Sequence, residues 1–214
     1  MKANREYREM QALEVVQRED GDEERKVVTG YASTFNDPYV LWEDDEIVYT
    51  EQVSPDAFNN TDMRDVIMQY DHAGRVFART RNNTLEVTPD EKGLFIEADL
   101  GGTELGRQLY DEIRGGYTDK MSFGFIVDAD EVTRKTLEDG REGFFRTITG
   151  IAKLFDVSAV SLPANEGTSI GVATRGLIDG AIDEIRAERL EAEKVELERR
   201  RTEIRAKAML GGNK

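Results

Sequence analysis

The periodicity of this chain changes once, after Arg175, and that break constrains the fold more than any other feature. Before it, short runs of β-branched and aromatic residues alternate with turns containing Gly, Pro and Asp, the pattern of strands. After it, GLIDGAIDEIRAERLEAEKVELERRRTEIRAKAML is rich in Ala, Glu, Arg and Leu and has no proline. Residues 1–175 are therefore read as one folded body and residues 176–214 as a charged helical extension. A chain of 214 residues can build one core of ordinary size and carry such an extension.

Within the body, Met10, Ala12, Glu14 and Val16 lead into a charged turn at 18–25, and KVVTGYAST (26–34) resumes with β-branched and aromatic residues. That predicts a hairpin, with strand character continuing to residue 53. Ser54 is a cap residue followed by Pro55 at a first helical position, so a short helix starts there. DVIMQYDH (65–72) predicts a strand, and TLEVTPDEKGLFIEADL (84–100) a hairpin turning at 89–93. Thr103 can cap a helix with Leu105, Leu109 and Ile113 on one stripe, stopped by Gly115 and Gly116. KMSFGFIV (120–127) alternates, with Met121, Phe123 and Phe125 on one face and Ser122, Gly124 and Ile126 on the other. A charged hairpin (128–143) leads to residues 144–165, read as two strands or one bent strand broken near Gly150. The expectation is a mainly β body with flanking helices (α+β): eight or nine strands and one or two helices, in a small closed or nearly closed β-barrel.

In the extension, Ile178, Ile182 and Ile185 start an apolar stripe, and Leu190, Leu197 and Ile204 continue it at seven-residue steps in a different register. So narrow a stripe predicts a solvated helix that pairs weakly, in the manner of a coiled coil, with a frayed GGNK tail. It reads as a scaffold-like docking segment or as a plain solvated helix.

Charge and cysteine content exclude several functions. The net charge is −15, and residues 1–175 carry 35 acidic and 20 basic residues against 9 of each beyond them. A body so acidic repels phosphate backbones, which argues against direct nucleic-acid binding. The absence of cysteine removes disulfides, thiolate zinc sites and a cysteine nucleophile, and fits a reducing compartment. The start, MKANREYREM, lacks the apolar core of a secretory signal, and no run approaches the length of a membrane span, so no membrane partner and a cytosolic setting are expected.

Three residues stand out for chemistry. His72 is the chain's only histidine, and an imidazole is the usual general base near neutral pH. One histidine with scattered carboxylates lacks the spacing a metal site needs, so neither metal nor cofactor is expected. Ser122 lies on the face opposite Met121, Phe123 and Phe125, beside a glycine that leaves room for a substrate backbone. Asp156 is the odd charge in the apolar run LFDVSAVSL, where a carboxylate needs a partner.

The segments QYDHAG around His72, KMSFGF around Ser122 and LFDVSAVSLPAN around Asp156, with VSPDAF at 53–58 upstream, resemble in order and spacing the prohead maturation proteases of HK-type tailed bacteriophages. The resemblance spans residues 27–172. That family is related to the herpesvirus assemblins, which implies a small β-barrel surrounded by helices, a serine nucleophile on one strand and a histidine base on a neighbour. Position by position it implies Ser122 as nucleophile, His72 as base and Asp156 as the acidic third member. It implies a serine endopeptidase acting on the major capsid protein and its scaffold segment inside the assembling prohead in the host cytoplasm. It also implies self-cleavage, with the extension as a segment that could be removed, and leaves room for a homo-oligomer. Two positions depart from the family: glutamate is common where Asp156 stands, and glycine is frequent at Ala78, before Arg79 and Thr80. Gly124 and the Gly150 region are candidates for the oxyanion site, because glycine lets a backbone N–H approach closely.

Two other readings compete. One is a non-enzymatic capsid assembly or scaffold protein with a barrel domain. The other is an acid–base enzyme built on Asp44 and Asp45, whose side chains as strand neighbours would point to opposite faces.

Overall fold

The structure is a computed structural model that describes residues 5–11, 13–20, 23–161 and 172–211. Ala12, the centre of the 18–25 turn, residues 162–165 at the end of the third motif and the tail beyond Gly211 lie outside the described residues. The chain divides into two compact units, Met1–Thr174 and Arg175–Lys214.

The first unit is mainly β. Its strands are β1 (Glu6–Gln11), β2 (Leu13–Asp20), β3 (Glu23–Thr34), β4 (Tyr39–Glu43), β5 (Ile47–Val53), β6 (Ile67–Tyr70), β7 (Ala73–Arg79), β8 (Leu85–Pro89), β9 (Gly93–Asp99), β10 (Lys120–Thr136) and β11 (Glu142–Val160), with the helix α1 (Glu104–Arg114) between β9 and β10. These are eleven strands among the described residues, more than the eight or nine expected. The excess comes from β7, which follows His72, and from the first predicted strand, which is two. β1 joins one sheet and β2 joins β3 in the other.

No closed barrel is found among the described residues. The strands form a seven-stranded sheet, ordered β1-β10-β11-β5-β4 with β6 and β7 as a branch, and a four-stranded sheet, β2-β3-β9-β8. The reason is the length of β11, which pairs with β10 along one edge and shares its other edge between two parallel partners. β5 takes the first part, from Glu142 to Ile148, and β6 takes the last, from Asp156 to Ala159. A sheet that forks in this way cannot close through that edge. The predicted break near Gly150 is instead a run of register shifts opposite Gly124 to Asp130, which leave Phe155, Ala152 and Thr149 of β11 and Asp128 of β10 as extra residues, so β11 is bulged there without ending.

The two sheets share a core in which Met121, Phe123 and Phe125 of β10, Leu154 and Val157 of β11, and Leu94, Ile96 and Ala98 of β9 are all fully buried. Each large side chain so removed from water contributes about 1.5–3 kcal/mol. Phe123 and Phe125, two apart on one strand face, stack with centroids 4.5 Å apart. Ser54 caps a short 3-10 turn, Pro55–Phe58, by accepting from the Asp56 N–H. That turn buries Phe58 6.4 Å from the Phe123 ring, beneath the strand that carries Ser122. Ala78, paired with Met68, is buried in the same core.

Helix α1 starts as expected, with Thr103 Oγ1 accepting from the Gly106 N–H at 3.0 Å. Its buried stripe is Gly106, Leu109, Tyr110 and Ile113, whereas Leu105 is exposed. Gly106 replaces it because the helix there meets the Leu100 carbonyl too closely for any Cβ. The hairpin of β8 and β9 turns where Asp90 Oδ1 accepts from the N–H groups of Lys92 and Gly93.

The described part of the second unit is helical throughout: it is helix α2 (Val172–Gly211) from Arg175 on. Leu190, Leu197 and Ile204 are exposed along it, and Arg199–Glu203 and Arg200–Glu196 form ion pairs one turn apart. No helix among the described residues is long and apolar enough to cross a membrane.

Candidate active site

β10 and β11 carry Ser122 and Asp156, and the turn that follows β6, the neighbour of β11, carries His72. In the β10–β11 ladder Ser122 stands opposite Ser158, and Gly124 opposite Asp156. Strand pleating therefore puts these four on one face, away from Phe123 and Val157. Both sides of the ladder are covered here, so Ser122 is 1% exposed and Asp156 and Ser158 are fully buried.

His72 reaches this face from a turn and not from a strand end. β6 pairs in parallel with β11 as far as Tyr70 opposite Ala159, and then reverses into β7 through Asp71 and His72. Both turn residues have positive φ, 47° and 55°, the left-handed backbone of a tight type I′ hairpin. Non-glycine residues hold that conformation where the surroundings enforce it. Here the Asp71 N–H donates to the Ala159 carbonyl at 2.9 Å, and its carboxylate accepts from the Ser161 N–H at 3.0 Å and hydroxyl at 3.1 Å.

The imidazole lies between hydroxyl and carboxylate. Nε2 of His72 is 2.6 Å from Ser122 Oγ, while Nδ1 is in hydrogen-bonding contact with Asp156 Oδ2. The same Oδ2 accepts from the Ser158 hydroxyl at 2.6 Å. The other carboxylate oxygen, Oδ1, pairs with the guanidinium of Arg5. Arg5 in turn lies 5.1 Å from the Tyr7 ring centroid and 4.5 Å from that of Phe155. Tyr7 meets the imidazole edge-on, with centroids 4.3 Å apart.

Burial of the ring and the facing charge of Arg5 push the His72 pKa down to about 4, with Asp71 acting in the opposite sense. The imidazole is thus neutral at neutral pH. With Nδ1–H donated to the carboxylate, Nε2 presents a lone pair to the serine hydroxyl. Such a row can make an alcohol nucleophilic, stabilise the imidazolium that results and return the proton to a leaving group.

The sequence reading missed Ser158 and Arg5. A period-two signal marked Ser158, two residues beyond Asp156 on one strand face; Arg5 lies in a charged N-terminal run outside every motif. The glycine candidates for an oxyanion site fare poorly. Gly150 pairs with Ala129, eight residues along β11 from Ser158, or about 26 Å away at strand spacing. At Gly124 the space that a side chain would fill holds Asp156 Oδ1 and the Arg5 guanidinium. Asp44 and Asp45 lie in the turn between β4 and β5, where Asp44 Oδ1 accepts from the N–H groups of Glu46 and Ile47. No cluster of potential metal ligands occurs among the described residues.

A second group of charges was invisible in the sequence. Glu6 and Arg8 of β1, Glu51 of β5 and Arg146 of β11 are all buried. Arg8 pairs with Glu51 through both its Nε and Nη2, and Nη2 also reaches Glu6 Oε2 at 2.6 Å. Arg146 Nη1 donates to the same Glu6 oxygen at 2.9 Å and to Glu51 at 2.7 Å, and Tyr39 Oη donates to Glu51 at 2.5 Å. The four buried members, two carboxylates and two guanidinium groups, balance formally, as burial requires, and Arg146 Nε also reaches the partly exposed Asp130 carboxylate.

A protein-family model described as caudovirus prohead serine protease matches residues 11–180. No curated protein and no solved structure matches the chain.

Proposed function

The chain belongs to the caudovirus prohead serine protease family and is a serine peptidase, a hydrolase of peptide bonds in phage capsid maturation; on that premise, we propose that Ser122, His72 and Asp156 are its catalytic triad. The observation that carries this reading is the 2.6 Å approach of Ser122 Oγ to His72 Nε2, on a ring whose Nδ1 is engaged by Asp156.

Chemistry follows from the atoms in contact. His72 Nε2 takes the Ser122 proton as Oγ attacks a peptide carbonyl, and the imidazolium that forms is stabilised by Asp156. The tetrahedral adduct collapses when His72 gives the proton to the leaving amine, leaving an ester on Ser122. Water, deprotonated by the same nitrogen, then releases the new carboxyl terminus and regenerates the serine. Asp156 remains a carboxylate throughout, fixing the tautomer and orientation of the ring.

The substrates in this reading are the major capsid protein with its scaffold segment and the enzyme itself, cleaved inside the assembling prohead. In support, the extension after Arg175 is a charged helix with an exposed seven-residue apolar spacing, suited to docking on another helix. The test is a fluorophosphonate probe followed by peptide mapping, together with cleavage of capsid protein co-expressed with the protease. Labelling at Ser122, absent in Ser122→Ala along with all processing, is the expected result. Capsid processing by a folded Ser122→Ala variant would end the assignment. Mass spectrometry of the active enzyme's termini tests self-cleavage separately.

A further inference from the structure

We propose that Arg5 is a positioning residue of this active site, holding the Asp156 carboxylate by the oxygen that His72 does not use. The proposal rests on the triad reading and extends it to a strand that begins before the region matched by the family, which starts at residue 11.

The argument starts from Asp156. A fully buried carboxylate is costly unless its charge is compensated and its oxygens are occupied. Oδ2 is committed to His72 Nδ1 and Ser158 Oγ. Oδ1 faces Arg5, whose guanidinium supplies the opposite charge, so that turning the carboxylate away from the ring would break this ion pair.

The seat of Arg5 is built from four directions. The Tyr7 and Phe155 rings flank its guanidinium, favourable for a cation over aromatic faces. Asp156 terminates it, and Gly124 makes room for it. A Cβ at position 124 would overlap Asp156 Oδ1 and lie 2.8 Å from both Arg5 Nε and Nη2. The glycine two residues after Ser122 thus has a specific task, the accommodation of this ion pair.

β1 is also a firm base for such a residue. It pairs with β10 from Glu6 opposite Phe125 to Gln11 opposite Lys120. Its Arg8 and Glu6 enter the buried ionic cluster with Glu51 and Arg146. Arg5 is the residue immediately before this clamped segment, so its position is set by the sheet.

Because His72 is the only histidine, its imidazole gives one set of resonances in the full-length protein, and the effect of Arg5 on it can be read directly. The charged and titratable groups facing that ring are Arg5 just before β1, Tyr7 of β1, Asp71 from its own turn and Asp156 from β11, with the Ser122 hydroxyl from β10. Replacing Arg5 by Met should raise the midpoint of the His72 titration by about one pH unit, since a facing positive charge is lost. It should also slow fluorophosphonate labelling of Ser122 about tenfold or more, the effect of leaving a buried carboxylate without its compensating charge. Arg5→Lys should return the titration towards the wild-type midpoint and recover only part of the labelling rate, because an ammonium cannot reproduce the planar fork.

An Arg5→Met protein with wild-type titration and labelling overturns the proposal and leaves the triad untouched. Equal loss of thermal stability in the Met and Lys variants, with an unmoved titration, overturns it in favour of a purely structural pair. Folded wild-type protein that is not labelled at Ser122 overturns the triad itself, and the positioning role with it.

Discussion

Gly124 stands opposite Asp156 across the β10–β11 ladder, and the space that a side chain at 124 would need is taken by the Asp156 carboxylate and the Arg5 guanidinium. Even one methyl group there must displace one of them. Gly124→Ala is expected to lower peptidase activity about tenfold or more, with a stability loss of about 1–3 kcal/mol from overpacking. Kinetics and thermal unfolding on the same preparation check both. An alanine variant of full activity would show that the carboxylate and guanidinium adjust freely.

The same close fit bears on the aspartate itself. Asp156 is fully buried, with His72 and Ser158 on one oxygen and Arg5 on the other. The extra methylene of a glutamate would have to enter a fully buried row and push its carboxylate against these partners. Although glutamate is the family's common residue here, Asp156→Glu should reduce kcat about tenfold or more and change KM little, because the substrate does not touch this carboxylate. Steady-state kinetics on a peptide spanning a cleavage site tests it.

His72 titrates well below the ordinary histidine value, at about 4, because burial and Arg5 disfavour the imidazolium. The base must be neutral to accept a proton, so kcat/KM should rise as pH rises through that lowered value and stay level through neutrality. The acid limb then lies below about 6.5, the unperturbed histidine pKa. Stability follows the same sign. As pH falls from about 6.5 to the lowered value, the unfolded chain takes up a proton that the folded chain refuses, and unfolding free energy declines. A pH–rate profile, with circular dichroism to verify the fold at each point, separates the two effects; an acid limb centred at or above 6.5 would show that the Asp156 carboxylate outweighs burial and Arg5 at the ring.

The Glu6–Arg8–Glu51–Arg146 cluster ties β1 to β5 and β11. Arg8→Met leaves buried carboxylates short of one positive charge, which should cost about 3–5 kcal/mol. Replacing Glu51 by Gln in the same protein should recover part of that loss, a coupling that chemical denaturation of the single and double variants measures. Burial raises the pKa of Glu51, but Arg8 and Arg146 outweigh it and hold the carboxyl below its ordinary value. Its contribution to stability is therefore present above about pH 4.3, the unperturbed glutamate pKa, and lost as pH falls below it.

What the sequence by itself determined was local. Residue period and punctuation located the β8–β9 hairpin, the capped starts at Ser54 and Thr103 and the long helix near the C-terminus, because each depends on neighbours within a few positions. Residue chemistry narrowed the candidates to His72, the only imidazole, and to Asp156, a carboxylate in an apolar strand that needed a partner. Only the tertiary structure decided what could not be local. It split one apparent strand into β1 and β2 in different sheets, and let β11 take two parallel partners in succession, so that the sheet forks where a barrel was expected. It brought residues 5, 72, 122, 156 and 158 to one face, and found balancing charges for Glu51 on two other strands and for Glu6 on its own strand and on β11. Strand pairing and burial join residues distant in the chain, and the cost of a buried charge is met by whichever partner the fold delivers. For Arg5 that partner is 151 positions away, a relationship that no spacing in the sequence records.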